Sequence, residues 1–251
     1  MRAALIPPKG YEAKALESDI HLVLPLPPLV KSYSYLHTYK TARDRGDYII
    51  LDNGCAEGQL VDGKTLLEFA AKIRAHEIVA PDVLKDASQT LELTRNFLLS
   101  NPEASDYNIM AVLQGETTDE RNYLLKQYAR MDAVTAIGIP KVLVNRYSDD
   151  VRAIIAKKIH KNYPGRFQIH LLGLSNNYPN EIHVGHFKES KIRSMDSAQP
   201  FKLTEKSIDM NPIHCWALRR RDYFETMKVV DTKILQRNIE TFKAWAENVE
   251  S

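Results

Sequence analysis

The sequence predicts an α/β protein built as a single-domain (β/α)8 barrel of the TIM type over residues 1–251, with a C-terminal helix. Short β-rich apolar runs alternate with helical patterns, and this alternation is typical of a parallel sheet. About eight such runs in 251 residues suit one barrel of this kind. The chain has no G-x-G-x-x-G fingerprint after its first strand and no G-x-x-x-x-G-K-[ST] loop, which disfavours the dinucleotide-binding and P-loop classes. A doubly wound open sheet is the alternative fold.

Strands are predicted where a short apolar run ends in a polar or glycine-containing turn. The last of these runs in the chain is also the weakest. The predicted strands are His21–Leu24, Tyr48–Leu51, Glu77–Ala80, Asn108–Leu113, Val134–Ile139, Gln168–Leu172, Lys191–Met195 and, weakly, Ser207–Ile213.

Helices are predicted between several of these strands from apolar residues that recur on one helical face. The segment Lys64–Ala75 shows this periodicity clearly, and Asp86 with Gln89 reads as a capping box that opens a helix through Leu99. The remaining predicted helices are Asp119–Met131, Ser148–His160 and the long amphipathic segment Lys233–Val249.

Composition indicates a globular protein of the cytoplasm. Hydrophobic residues make up 44% of the chain, which excludes intrinsic disorder, and the net charge of +2 still allows a local basic patch. Two cysteines cannot form a disulfide framework and are typical of a reducing compartment. No apolar run approaches the roughly 20 residues of a membrane span, and Met1–Gly10 does not read as a signal peptide. We therefore expect no membrane partner.

Polar residues and glycines follow the predicted strands at the ends that meet in the mouth of a barrel. Any one of them has a simpler interpretation as a helix cap or a turn residue. The set is more informative, because its members recur at intervals that suit one strand–helix unit each. The candidate site residues are Asp52, Asp82, Gln114, Gly138, Gly173 and Asp196.

This combination suits the exchange or cleavage of a glycosidic bond. A glutamine offers both a donor and an acceptor to the edge of a planar base, and a carboxylate can accept two N–H bonds from guanine. Glycines let a flat ligand approach the backbone closely. A carboxylate pair can catalyse retaining glycosyl transfer, one member attacking the anomeric carbon and the other transferring protons.

Several segments resemble the tRNA-guanine transglycosylase family over roughly residues 20–200. Leu51–Glu57 is similar to its D-S-G-G-F-Q segment, and Val112–Gly115 to its V-Q-G segment. Asp82 follows Ile78–Pro81 where the family has a base-binding aspartate, and Ala136–Pro140 stands where the family has G-L-A-V-G-E. His170–Leu174 resembles L-M-G-V-G, and Ser194–Pro200 resembles D-C-V-x-P-T-R.

The resemblance implies a (β/α)8 barrel that exchanges guanine in a nucleic acid for a 7-deazaguanine, without a cofactor. It assigns Asp196 as the nucleophile and Asp52 as the acid and base. It assigns Asp82 and Gln114 to the base edge, with backbone contacts from Gly138 and Gly173.

The sequence departs from this family at several positions. Cys55 and Ala56 replace a glycine and a phenylalanine, and Phe201 and Lys202 replace Thr-Arg. The C-terminal zinc motif is absent, leaving only His214-Cys215 nearby. These departures resemble the compact DNA 7-deazaguanine transglycosylases of bacteria and phages, which implies DNA as substrate, a free base such as preQ0 and a bacterial or phage-infected cytoplasm. Whether a weak metal site involves His214 and Cys215, or His183 and His186, is left open.

Basic residues near the predicted nucleophile are candidates for binding the nucleic acid, although a solvated surface explains them about as well. Tyr33, Tyr35 and Tyr39 are candidates for stacking, although packing of a helix is the simpler interpretation. The candidate nucleic-acid-binding residues are Lys188, Lys191, Arg193, Lys202, Arg219, Arg220 and Arg221.

Three other functions remain open. The same chemistry on tRNA is the nearest, and a non-catalytic barrel that binds a base or a nucleic acid is the second. An aldolase or isomerase is the third, and it is disfavoured because no lysine is recognised at a strand end for a Schiff base. The oligomeric state is also open, a homodimer included.

Overall fold

The computed structural model describes residues 1–148, 150–174, 191–211, 223–224 and 231–247. Eight parallel strands form one sheet in the order β1-β8-β7-β6-β5-β4-β3-β2, and helices alternate with them. The predicted α/β barrel is therefore confirmed. The strands are β1 Arg2–Leu5, β2 Ile20–Val23, β3 Tyr48–Leu51, β4 Glu77–Val79, β5 Asn108–Val112, β6 Val134–Pro140, β7 Gln168–Leu172 and β8 Ser194–Ser197.

The eighth strand is not the one that the sequence predicted. Residues 207–211 form no strand, and the last two residues of the predicted run Ser207–Ile213 lie outside the described residues. The first strand, Arg2–Leu5, takes that place and pairs in parallel with β8, with Ala4 opposite Asp196. Four residues beside the start of the chain carry too little periodicity to predict a strand, and the partner strand supplies the missing stabilisation.

The barrel is nearly closed. Strands β1 and β2 lie side by side at the ends of the sheet order, and no backbone ladder joins these two strands. The Ser18 hydroxyl, just before β2, donates instead to the carbonyl of Ala3 in β1. A side-chain hydrogen bond thus replaces backbone pairing at this seam.

The helices begin largely where the sequence predicts them, because capping side chains satisfy their first N–H groups. Asp62 and Asp86 accept from the backbone N–H three residues further on, and the Gln89 amide bonds the Asp86 carboxylate. A full capping box forms elsewhere, between Thr117 and Glu120. The helices are α1 Pro27–Val30, α2 Tyr33–Asp44, α3 Gly63–Ile73, α4 Ala87–Ser100, α5 Thr118–Tyr128, α6 Val142–Arg146, α7 Val151–Asn162, α8 Gln199–Thr204 and α9 Thr232–Glu247.

Two apolar layers support the barrel. A large one packs the outer faces of the strands against the helices, and a small one fills the barrel interior. In the described part of the chain, no helix has the length and hydropathy required to cross a bilayer. The small interior cluster consists of Ala4, Ile20, Leu22, Ile50, Val79, Met110, Val112 and Ala136.

A buried ion pair lies below this interior cluster, at the amino end of the strands. The guanidinium of Arg193 donates to both carboxylate oxygens of Glu77 at 2.8 Å. The hydroxyl of Tyr48 donates to the same carboxylate at 2.9 Å, and the Arg193 guanidinium lies over the Tyr48 ring. The carboxylate of Glu77 thus accepts hydrogen bonds from both Arg193 and Tyr48.

We expect Glu77→Gln to destabilise the protein by about 3–5 kcal/mol, because it leaves the guanidinium of Arg193 buried without a counter-charge. Urea denaturation at constant pH measures the change. The exposed pair Arg74–Asp44 provides the control, since Asp44→Asn should cost at most about 1 kcal/mol. Equal losses of stability in the two variants would show that the buried pair Glu77–Arg193 contributes no more than an exposed ion pair.

Candidate active site

The structure brings most of the predicted site residues to the carboxyl end of the strands. Asp52, Asp82 and Gln114 follow β3, β4 and β5, Gly173 follows β7, and Asp196 lies within β8. The negative charges of Asp82 and Asp196 both act on Asp52, which places the three carboxylates in one mouth.

Asp82 and Gln114 hold each other in a closed hydrogen-bond network. The Gln114 amide donates to one oxygen of Asp82 at 2.6 Å, and the Asn53 amide donates to the other at 2.7 Å. The carbonyl oxygen of Gln114 accepts from the backbone N–H of Lys85. Burial raises the pKa of Asp82, and the two amide donors limit the rise. The network fixes the orientation of the Asp82 and Gln114 side chains.

Asp52 and Glu57 form the second part of the site, on the loop after β3. Gly54 has a φ of +79°, and a side chain there would meet the carbonyl of Gln59 at 2.5 Å, so the tight turn requires glycine. The turn brings Glu57 back over the mouth. Burial and the charge of Glu57 raise the pKa of Asp52 well above its usual range. Desolvation and the charge of Asp196 raise the pKa of Glu57 to about 7.

Asp196 is held by donors from the neighbouring strand β7. One of its oxygens, Oδ1, accepts the backbone N–H of Gly173 at 2.8 Å and lies 3.2 Å from Nε2 of His170. Among the described residues, none donates to the other oxygen, Oδ2. The buried guanidinium of Arg152 donates to the carbonyl of Gly173 at 2.9 Å and so fixes the turn that carries this N–H.

Lys141 corrects one expectation, because it does stand at a strand end. It follows directly after β6, and its side chain lies so close to Gly173 that a Cβ there would be 2.8 Å from its Cδ. Lys141 and Lys202 both act on Glu57 as positive charges. Each ammonium group therefore lies close enough to the mouth for its charge to act on a carboxyl group there.

Gly138 lies inside β6, as the predicted strand Val134–Ile139 has it, and its carbonyl accepts from the N–H of Leu113. A Cβ at Gly138 would lie 2.7 Å from Cδ1 of Leu172 and 3.0 Å from Sδ of Met110. The glycine is required for packing of the barrel interior.

The candidate nucleic-acid-binding residues divide into three groups. Lys191 and Arg193 lie at the amino end of β8, opposite the mouth, where Arg193 pairs with Glu77. Lys202 in α8 lies near the mouth, with its ammonium 4.8 Å from the centre of the Tyr223 ring. The remaining candidates, Lys188, Arg219, Arg220 and Arg221, lie outside the described residues.

The three tyrosines after β2 also divide. Tyr35 and Tyr39 are buried and pack edge to face, as the simpler interpretation expects, whereas Tyr33 is 82% exposed and stacks on His37. The possible metal ligands His183, His186, His214 and Cys215 all lie outside the described residues.

No protein-family model matches the chain, and no curated protein is significantly similar to it.

Within the described part of the chain, the sequence analysis missed several residues that contact the mouth. Glu57 and Lys141 had a local signal, because each lies in a loop that follows a predicted strand. Asn53 stands beside Asp52 in the same loop, and His170 points into the barrel from β7. No sequence signal separates a histidine of this kind from one in an ordinary core.

We expect Asp52→Asn to stabilise the protein at neutral pH by about 0.5–2 kcal/mol. The pKa of Asp52 is raised in the folded state. Above the ordinary pKa of an aspartate, ionisation of this carboxyl group therefore favours the unfolded chain over the folded protein. The gain should vanish as the pH falls to about 3, where the carboxyl group is protonated in both states. Thermal unfolding against pH measures it. The exposed Asp132→Asn should show no such gain, and a gain independent of pH would contradict this explanation.

Proposed function

We propose that this protein is a transglycosylase that replaces guanine in DNA with a 7-deazaguanine such as preQ0. One observation carries the proposal, namely the contrast between two carboxyl groups of the mouth. Oδ1 of Asp196 accepts from N–H donors, and no described residue donates to its Oδ2. Asp52 lies in the same mouth, and burial raises its pKa. Two carboxyl groups in such different surroundings are suited to different roles, one as a nucleophile and the other as a general acid. The sequence resemblance supports the same pair.

The proposed reaction proceeds in two displacements. Oδ2 of Asp196 attacks C1′ of the guanine nucleotide, the C1′–N9 bond breaks, and its electron pair leaves with the base. The carboxyl group of Asp52 donates a proton to the departing guanine. Asp52, now ionised, accepts a proton from the incoming 7-deazaguanine, whose N9 attacks C1′ and releases Asp196. The configuration at C1′ is retained, and no redox cofactor is consumed.

The base edge would bind to Asp82. A carboxylate has about four lone-pair positions, of which the amides of Asn53 and Gln114 and the thiol of Cys55 occupy three, so one position remains for an N–H of the guanine edge. Gln114 acts in this proposal by orienting Asp82. Backbone contacts would come from the turn at Gly173, whereas Gly138 supports the wall through packing.

Lys141 and Lys202 are proposed to bind phosphate groups on either side of the reacting nucleotide. Both act on the mouth as positive charges, and an ammonium group is a common phosphate partner. Binding of the nucleic acid by Lys188, Arg219, Arg220 and Arg221 stays a prediction. DNA is preferred to tRNA because the chain lacks the zinc motif of the tRNA-modifying family.

The other candidate functions predict different results. An enzyme acting on tRNA uses the same residues and differs only in its polymer. A non-catalytic barrel binds a base or nucleic acid and never forms a covalent bond to it. A Schiff-base enzyme would be inactivated at Lys141 by borohydride in the presence of a carbonyl substrate.

We expect labelled guanine to enter duplex DNA in the presence of the purified protein. Asp196→Asn should lower the rate at least about 10⁴-fold, because it removes the nucleophile. The exposed carboxylate Asp209, which pairs with Arg237, provides a control, and Asp209→Asn should leave the rate unchanged. If the label entered only tRNA, the substrate would be tRNA and not DNA. An Asp196→Asn protein with full activity would refute the assignment of the nucleophile.

We expect Lys141→Met to weaken DNA binding and to lower the slope of log K against log salt by about 0.9, the effect of one lost phosphate contact. Binding measured by fluorescence anisotropy at several salt concentrations gives this slope. Lys72→Met is the matched control, since Lys72 lies in the last turn of α3, at the opposite end of the barrel. An unchanged slope in Lys141→Met would show that this ammonium group contacts no phosphate.

A further inference from the structure

A continuous chain of polar contacts crosses the barrel from its amino end to the mouth. Glu77 holds the guanidinium of Arg193, and Nε of the same guanidinium donates to Oγ of Ser194 at 3.3 Å. Oγ of Ser194 lies 2.8 Å from Nδ1 of His170. Nε2 of that ring lies 3.2 Å from Oδ1 of Asp196. All the side chains between the two carboxylates are mostly or fully buried.

The chemistry of the donors gives this chain a direction. A carboxylate only accepts, so the contact between Nε2 of His170 and Oδ1 of Asp196 requires the single N–H of a neutral imidazole to lie on Nε2. Nδ1 is then an acceptor, and the Ser194 hydroxyl donates to it. A guanidinium only donates, so the Ser194 oxygen also accepts from Arg193. The opposite tautomer would direct the Nε2 lone pair at the Asp196 carboxylate, an unfavourable contact of two acceptors in a buried site.

We propose that His170 is a positioning residue that presents an Nε2–H to Asp196, while its Nδ1 accepts the hydroxyl hydrogen of Ser194. This role rests on the proposed function, because it assigns a purpose to the Asp196 geometry. The N–H groups of His170 and Gly173 both hold Oδ1. The carboxylate therefore cannot rotate freely, and Oδ2 is the atom directed at C1′ of the substrate.

The tautomer can be measured without any assumption about activity. In the full-length protein labelled with ¹⁵N-histidine, we expect at neutral pH a protonated, pyrrole-type Nε2 and an unprotonated, pyridine-type Nδ1 for His170. The His170→Gln spectrum assigns these signals by their loss. A protonated Nδ1, alone or together with a protonated Nε2, would overturn the proposal.

Ser194→Ala tests the donor to Nδ1. Removal of the hydroxyl group leaves Nδ1 without this donor, so we expect the Nδ1 signal to shift while the proton stays on Nε2, where the Asp196 carboxylate accepts it. Ser105→Ala removes an exposed hydroxyl that bonds the carbonyl of Pro102, and this control should leave the His170 signals unchanged. An unchanged Nδ1 signal in Ser194→Ala would overturn the hydrogen bond from Ser194 to His170.

Activity tests the consequence for Asp196. His170→Phe removes the N–H and should lower kcat for base exchange about 10- to 100-fold with little change in KM, as is typical when a partner of a reacting group is lost. His170→Gln keeps an N–H at a similar distance and should lose less. Equal losses in these two variants would overturn the positioning role. If no variant and no substrate shows exchange, the proposed function fails, while the nitrogen spectra still decide the tautomer.

Discussion

The pairing of β1 with β8 is the constraint on which the rest of the structure depends. It makes β8 an interior strand of the sheet, between β1 and β7, so that both backbone edges of β8 are bonded. Side chains alternate between the two faces of a strand, and this register turns Ser194 and Asp196 into the barrel. Without β1, the strand that carries the proposed nucleophile would be an edge, and its carboxylate would lose its fixed orientation.

The barrel interior is divided into layers of opposite character. Apolar side chains fill the middle, an ion pair closes the amino end, and carboxylates crowd the mouth. At the amino end, the positive charge of Arg193 neutralises the negative charge of Glu77. Among the described residues, the mouth holds more carboxyl groups than ammonium groups, and burial there disfavours ionisation of the carboxyl groups. Buried carboxyl groups of this kind cost stability, and the outer apolar layer offsets that cost.

The sequence predicts much of this arrangement, for identifiable reasons. The runs Tyr48–Leu51 and Gln168–Leu172 are strands with the same bounds in the structure, because β-branched and apolar residues end there in clear turn signals. The convergence of Asp52, Asp82 and Asp196 follows from parallel topology alone. Strand β1 is too short to show a period. The position of Glu57 depends on the path of a tight turn, and the partners of His170 lie on another strand. A local sequence pattern therefore predicts neither contact.

The unpaired seam between β1 and β2 has a consequence for biosynthesis. Strand β1 leaves the ribosome before every other described strand, yet its ladder partner is β8, the last of them to be made. The intervening strands can pair with their neighbours as they emerge, while β1 must wait with its N–H and C=O groups solvated. Closure of the barrel is thus a late, long-range event, and the mouth is assembled only when nearly the whole described sheet has been translated.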